Sequence, residues 1–136
     1  NFMICAIIIT HGKLAEAFVT TAEAITGKLD NVRYISIDAC DSAKCISDAI
    51  STAIKTMDKK DGIIILTDMF GGTPSNIGLS FLEAGKVEIL TGVNLPMLLK
   101  FASHRTDTTL SELAVFLKEH GQKSIVLASE VLKGKV

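Results

Sequence analysis

The chain has 136 residues and a formal net charge of -1, with 48% hydrophobic and 21% charged residues. That length fits a single domain, 1–136, able to bury roughly two-thirds of its unfolded surface, and the composition argues against disorder. The near-neutral balance, without a Lys/Arg cluster, gives no reason to propose nucleic acid as a partner. Three cysteines with no Cys-x-x-Cys pair suggest neither a disulfide framework nor a zinc site, and point to a reduced, intracellular protein.

Residues 3–9 are a run of Met, Ile, Cys and Ala without alternation, which predicts a central parallel strand covered on both faces. The run is far too short to cross a membrane, and its flanks lack the marks of a signal peptide. Thr10-His11-Gly12 turns the chain. From Lys13 to Thr26, Leu14, Ala17, Phe18, Ala22 and Ile25 recur at helical spacing, and Gly27 ends the element. Residues 32–37 read as a second strand of mixed pattern, nearer an edge. Asp41 is the expected N-cap of a helix to about Met57 that buries Ala43, Ile46, Ala49, Ile50, Ala53, Ile54 and Met57. The β-branched run 63–67 is the third strand. It ends in Asp68-Met69-Phe70-Gly71-Gly72, after which Thr73 is placed to cap a helix with Pro74 in its first turn, running to about Ala84 and closed by Gly85. A fourth strand covers 87–90, a short helix 95–102, and a further helix roughly 110–120 with Leu110, Leu113, Ala114 and Leu117 inward. Residues 124–128 are the last expected strand.

Strands alternating with helices at this spacing predict an α/β fold, an open doubly wound and mostly parallel sheet with right-handed crossovers and helices on both faces. Ligands of such sheets sit at the carboxyl ends of the strands, where the winding reverses direction. His11 and Asp68 both lie at strand carboxyl ends, and they face each other if the first and third strands are neighbours. An imidazole is largely neutral at pH 7, so one ring nitrogen is free to attack phosphorus while a carboxylate fixes the proton on the other. The functional expectation is a His11–Asp68 pair with a phosphoryl site bounded by Gly71, Gly72 and Thr73; the plainer one is a histidine that caps a strand end and a glycine turn that joins strand to helix. No metal is invoked, because the chain offers no second and third carboxylates near the site, and no cofactor is called for. Phe70 is expected to be partly exposed. His120 suits the end of a helix just before Gly121, and His104 with Arg105 reads as part of a solvated polar loop.

With these residues in place the chain resembles the mannose-family enzyme IIA of the bacterial phosphoenolpyruvate-dependent sugar phosphotransferase system. The resemblance rests on three ordered motifs: the apolar strand before Thr10-His11-Gly12, then Asp68 through Asn76, then Gly92-Val93-Asn94-Leu95-Pro96-Met97-Leu98. It implies a cytoplasmic phosphoryl carrier in which His11 accepts phosphate from the phosphocarrier protein HPr and donates it to an enzyme IIB. It implies Asp68 as hydrogen-bond partner of the His11 ring, Nε2 as the modified nitrogen, and Thr73 as the hydroxyl next to the phosphoryl group. It also implies a homodimer in which the last strand, near 124–129, is exchanged to lie antiparallel on the neighbouring sheet. A variant of this expectation keeps the chemistry and makes the phosphorylation state of His11 a regulatory signal without sugar transport. Two other readings compete. A receiver phosphorylated on Asp68 would need an acidic pair after the first strand, where Thr10-His11 stands; a nucleotide-binding module would need a glycine fingerprint that is absent.

Overall fold

A computed structural model describes residues 3–39, 42–69 and 73–134. The elements run β1 (Cys5–Thr10), α1 (Leu14–Thr26), β2 (Val32–Ser36), a 3-10 turn (Ile37–Ala39), α2 (Ala43–Thr56), β3 (Ile63–Thr67), α3 (Thr73–Leu79), β4 (Val87–Thr91), α4 (Leu95–His104), α5 (Leu110–Lys123) and α6 (Ala128–Leu132). The four strands form one sheet in the order β2-β1-β3-β4. Every pairing is parallel, with Thr10 opposite Ser36 and Ile9 opposite Thr67. The chain therefore winds outward from β1 to β2, then crosses back to β3, and the reversal lies between β1 and β3.

The unbroken apolar runs become the two inner strands because both of their faces are covered. Ile4, Ala6 and Ile8, with Ile64 and Leu66, pack under α1, α4 and α5. Cys5, Ile7 and Ile9, with Ile63 and Ile65, pack under α2. Burying each isoleucine side chain contributes about 1.5–3 kcal/mol, so these two strands are the most firmly held part of the molecule. Strand β2 is half-exposed at its edge, as its mixed pattern predicts.

Several boundaries and faces differ from the sequence reading. In α1 the inward residues are Ala15, Val19 and Ala22, while Leu14 and Ile25 stand exposed. Small alanines at i and i+7 let the helix axis approach the sheet, which turns the bulkier Leu14 and Ile25 outward. Helix α2 is capped by Ser42, whose hydroxyl accepts from the Cys45 N–H at 3.1 Å, and Ala43 is exposed; the expected cap, Asp41, and Cys40 lie outside the described residues. Helix α3 spans Thr73–Leu79 and stops short of Ala84; the cap expected at Thr73 falls on a side chain outside the described residues. There the Ser80 hydroxyl donates to the Ile77 carbonyl at 2.6 Å, and the N–H groups of Ser80, Phe81 and Leu82 turn to carbonyls three residues back. A paired bridge between Glu83 and Val87 then leads into β4.

Helix α5 does not end at His120 but passes through Gly121 to Lys123. A Cβ at Gly121 would stand 2.7 Å from the Met97 Cε, and the Gly121 carbonyl accepts from Asn94 Nδ2 at 3.1 Å. This glycine permits α4 and α5 to touch; it does not terminate a helix. The strand expected over 124–128 is not formed within the chain. Ser124 caps α5, Leu127 has extended backbone, and α6 follows. A strand needs a neighbour for its N–H and C=O groups, and here Ile125, Val126 and Leu127 are instead 81%, 57% and 61% exposed. Among the described residues no helix is long and apolar enough to cross a membrane.

Candidate functional site

Because β1 and β3 are adjacent and in register, the turns that follow them lie side by side. His11 and Asp68 meet there. The His11 ring Nδ1 lies 2.9 Å from Asp68 Oδ2, and the same oxygen accepts from the His11 backbone N–H at 3.0 Å. An ionised carboxylate only accepts, so the proton of a neutral ring sits on Nδ1 and the lone pair on Nε2. The His11 side chain is 49% exposed and that of Asp68 13%. Access is thus given to the imidazole and denied to most of its partner.

Burial pushes the Asp68 carboxyl up, but the hydrogen bonds from the His11 backbone and ring and the nearby imidazole charge outweigh it, holding the group below the usual carboxylate range. Its second oxygen, Oδ1, is buried and has no hydrogen-bond partner among the described residues. Oδ2 is thus the oxygen that holds His11, through both its backbone and its ring.

The turn carrying His11 is held from several directions. Thr10, fully buried, accepts the Ala15 N–H on its hydroxyl at 2.6 Å and donates to the His11 carbonyl at 3.1 Å. This joins the end of β1 to the first turn of α1. Gly12 follows with φ +56, a left-handed conformation that favours glycine, and its carbonyl accepts from Ser36 Oγ at 2.6 Å. Neither Thr10 nor Ser36 is singled out by the sequence. Thr10 carries a weak signal, a hydroxyl residue directly before a strand-end histidine. Ser36 carries none, since its place beside the turn follows from strand register.

Of the other expected site residues, Gly71, Gly72 and Phe70 lie outside the described residues, and Thr73 is the first residue of α3. Met69 is 54% exposed beside Asp68. His104 and His120 make ring contacts with Phe116 instead, at centroid distances of 4.5 and 6.0 Å. Arg105 is not a solvated loop charge. It is 3% exposed, donates from Nε to the Ile4 carbonyl at 3.0 Å and from Nη2 to the Asp30 carbonyl at 2.7 Å, and lies over the Phe101 ring. Among the described residues no group of three His, Cys, Asp or Glu side chains is arranged to hold a metal ion.

A half-exposed imidazole with a fixed tautomer, at the winding reversal of a parallel sheet, is equipped for nucleophilic group transfer. The family profile EIIA-man, described as the PTS system fructose IIA component, matches residues 5–118. The fructose-specific EIIA component of the PTS system of Bacillus subtilis is 31% identical over 132 residues, 96% of this chain and 90% of that protein. The mannose-specific EIIAB component of Escherichia coli is 30% identical over 126 residues, 90% of this chain; the chain spans only 39% of that longer protein. Among solved structures, the phosphotransferase system component EIIA from Streptococcus agalactiae superposes with a TM-score of 0.84 at 27% identity, covering 93% of this chain and 98% of its own.

Proposed function

The chain belongs to the EIIA-man family of sugar phosphotransferase-system components, and from that membership we propose that His11 is its phosphoryl-carrying residue, loaded by phospho-HPr and discharged to an enzyme IIB. Phosphotransferase activity and a carrier role in the sugar system follow from the family; the residue-level chemistry is our reading. The observation that carries it is the 2.9 Å contact between Nδ1 and Asp68 Oδ2, which leaves Nε2 as the nucleophile. The Nε2 lone pair forms the N–P bond as the donor's N–P bond breaks and the donor imidazole departs with that electron pair. The proton on Nδ1 stays in place, and the ring becomes an imidazolium opposite the Asp68 carboxylate.

Such a group is held without being trapped. A phosphoryl dianion about 6 Å from Asp68, at an effective dielectric of about 20, feels roughly 5 kcal/mol of repulsion. The hydrogen bond from the imidazolium to the carboxylate offsets only a few kcal/mol of it. Gly71, Gly72 and Thr73 come three to five residues after Asp68 in the chain and are assigned the role of amide and hydroxyl donors to the phosphoryl oxygens.

The reading extends to a cytoplasmic homodimer. Its support is the apolar surface left along the outer edge of β4, where a cleft of about 430 Å³ is lined by Leu79, Ile89, Met97 and Ile125, next to the exposed Val126 and Leu127. A second copy covering this edge with its own C-terminal segment would bury both. Sedimentation of the full chain checks this, and a monomer at micromolar concentration excludes it.

The defining experiment mixes the protein with phosphoenolpyruvate, the general phosphotransfer enzyme and HPr. One acid-labile phosphate is expected on the parent and none on His11→Ala. Label retained in that variant, or a magnesium-dependent acyl phosphate on Asp68, rejects the assignment.

A further inference from the structure

We propose that Ser36 is a positioning residue for His11, holding from β2 the turn that Asp68 holds from β3; the proposal rests on the phosphoryl-carrier reading of His11. Three backbone polar groups of that turn are each tied to a different side chain. The His11 N–H donates to Asp68, the His11 carbonyl accepts from Thr10, and the Gly12 carbonyl accepts from Ser36. Only the last tie reaches across to the outer strand, and it is among the shortest side-chain hydrogen bonds of the site at 2.6 Å.

The geometry gives this tie leverage. Ser36 occupies the final rung of the β1–β2 ladder, opposite Thr10, so its hydroxyl stands beside the point where the chain leaves the sheet. Gly12 sits at φ +56, with the greatest backbone freedom of any residue in the turn. Without an anchor on its carbonyl, the Gly12–Lys13 peptide loses its tie to β2 and turns more freely at Gly12. The turn is then left to Asp68, Thr10 and the Leu14 N–H, and the His11 Cα is placed less firmly for the ring that Asp68 orients. Displacing a reacting group by about 1 Å can cost on the order of 10²-fold in rate. Losing one of several ties is expected to cost less.

The test uses the full chain with Ser36→Ala and Ser36→Thr. Three quantities are read: the saturating rate and KM for transfer from phospho-HPr, the His11 ring tautomer by ¹⁵N NMR, and the thermal midpoint. Ser36→Ala should lower the saturating rate roughly 5–20-fold at nearly constant KM and populate the Nε2–H tautomer, with the midpoint little changed. Ser36→Thr, which keeps the hydroxyl on a strand-compatible side chain, should restore both rate and tautomer to within about twofold of the parent. A Ser36→Ala protein with parental rate and parental tautomer overturns the proposal, as does a Ser36→Thr protein as impaired as the alanine variant. If the parent itself takes no phosphate from phospho-HPr, the carrier reading fails, and the tautomer measurement alone still decides whether Ser36 orients the ring.

Discussion

Strand β1 is fastened at both ends by a cationic or potentially cationic side chain, and the two fastenings differ in what they leave free. At its start, Arg105 and Ile4 are bound reciprocally: the guanidinium donates to the Ile4 carbonyl at 3.0 Å, and the Ile4 N–H donates to the Arg105 carbonyl at 3.2 Å. The arginine is 3% exposed, and burial lowers its pKa, with the Cys5 and Asp30 charges acting in the opposite sense. At the other end, His11 binds Asp68 through its backbone and one ring nitrogen, and its side chain stays 49% exposed. Both ends close a strand onto a distant part of the chain. Only the second keeps a ring nitrogen exposed, so the same kind of polar fastening serves as a rivet at one end and, on the reading proposed above, as a reaction site at the other.

Substituting each fastening separately should divide the molecule's properties cleanly. The largest effect is expected from Asp68→Asn. The amide retains the shape but removes the charge that stabilises the imidazolium and weakens the tautomer preference, so the rate of phosphate transfer should fall on the order of 10²-fold or more. Unfolding by urea should move little by comparison. Transfer within tenfold of the parent would mean that Asp68 is a structural partner of the turn and no more.

Arg105→Ala should do the reverse. Two hydrogen bonds from a charged donor to backbone carbonyls and the packing over Phe101 are lost, which should destabilise the fold by about 2–4 kcal/mol. Transfer per folded molecule should stay at the parental rate. If stability is unchanged while transfer falls, the start of β1 is coupled to the reaction site and the division between the two ends is wrong.

The two ends were also unequally legible in the sequence. The inner strands announce themselves, since runs such as Ile63 to Leu66 fit only a strand buried on both faces, and His11 and Asp68 are found because each directly follows such a run or its last threonine. Arg105 sits among polar residues, and its acceptor Ile4 is 101 positions away, so nothing local distinguishes it from a solvated charge. Ser36 becomes part of the site only through the register of β2 on β1. Residues 124–128 pose the opposite case. Their local signal is that of a strand, but a strand is a pairing, and among the described residues of the single chain no strand pairs with them. Local pattern thus locates what one segment determines alone, and misses what two distant segments determine together.

The smallest expected effect comes from acid, and it tests the site end by its charge. The folded-state pKa of Asp68 is lowered below the unfolded value of about 3.9. Between those two values the unfolded chain binds more protons than the folded one, so stability rises with pH. The contribution is fully present above pH about 4, and is lost as pH falls through the lowered folded value. Urea midpoints followed downward from pH 5 should therefore drop more steeply for the parent than for Asp68→Asn, while Arg105→Ala, whose carbonyl contacts do not titrate, should run parallel to the parent. Parallel curves for the parent and Asp68→Asn would show that the carboxylate gains nothing from His11 in the folded state, and would remove the electrostatic difference between the two ends of β1.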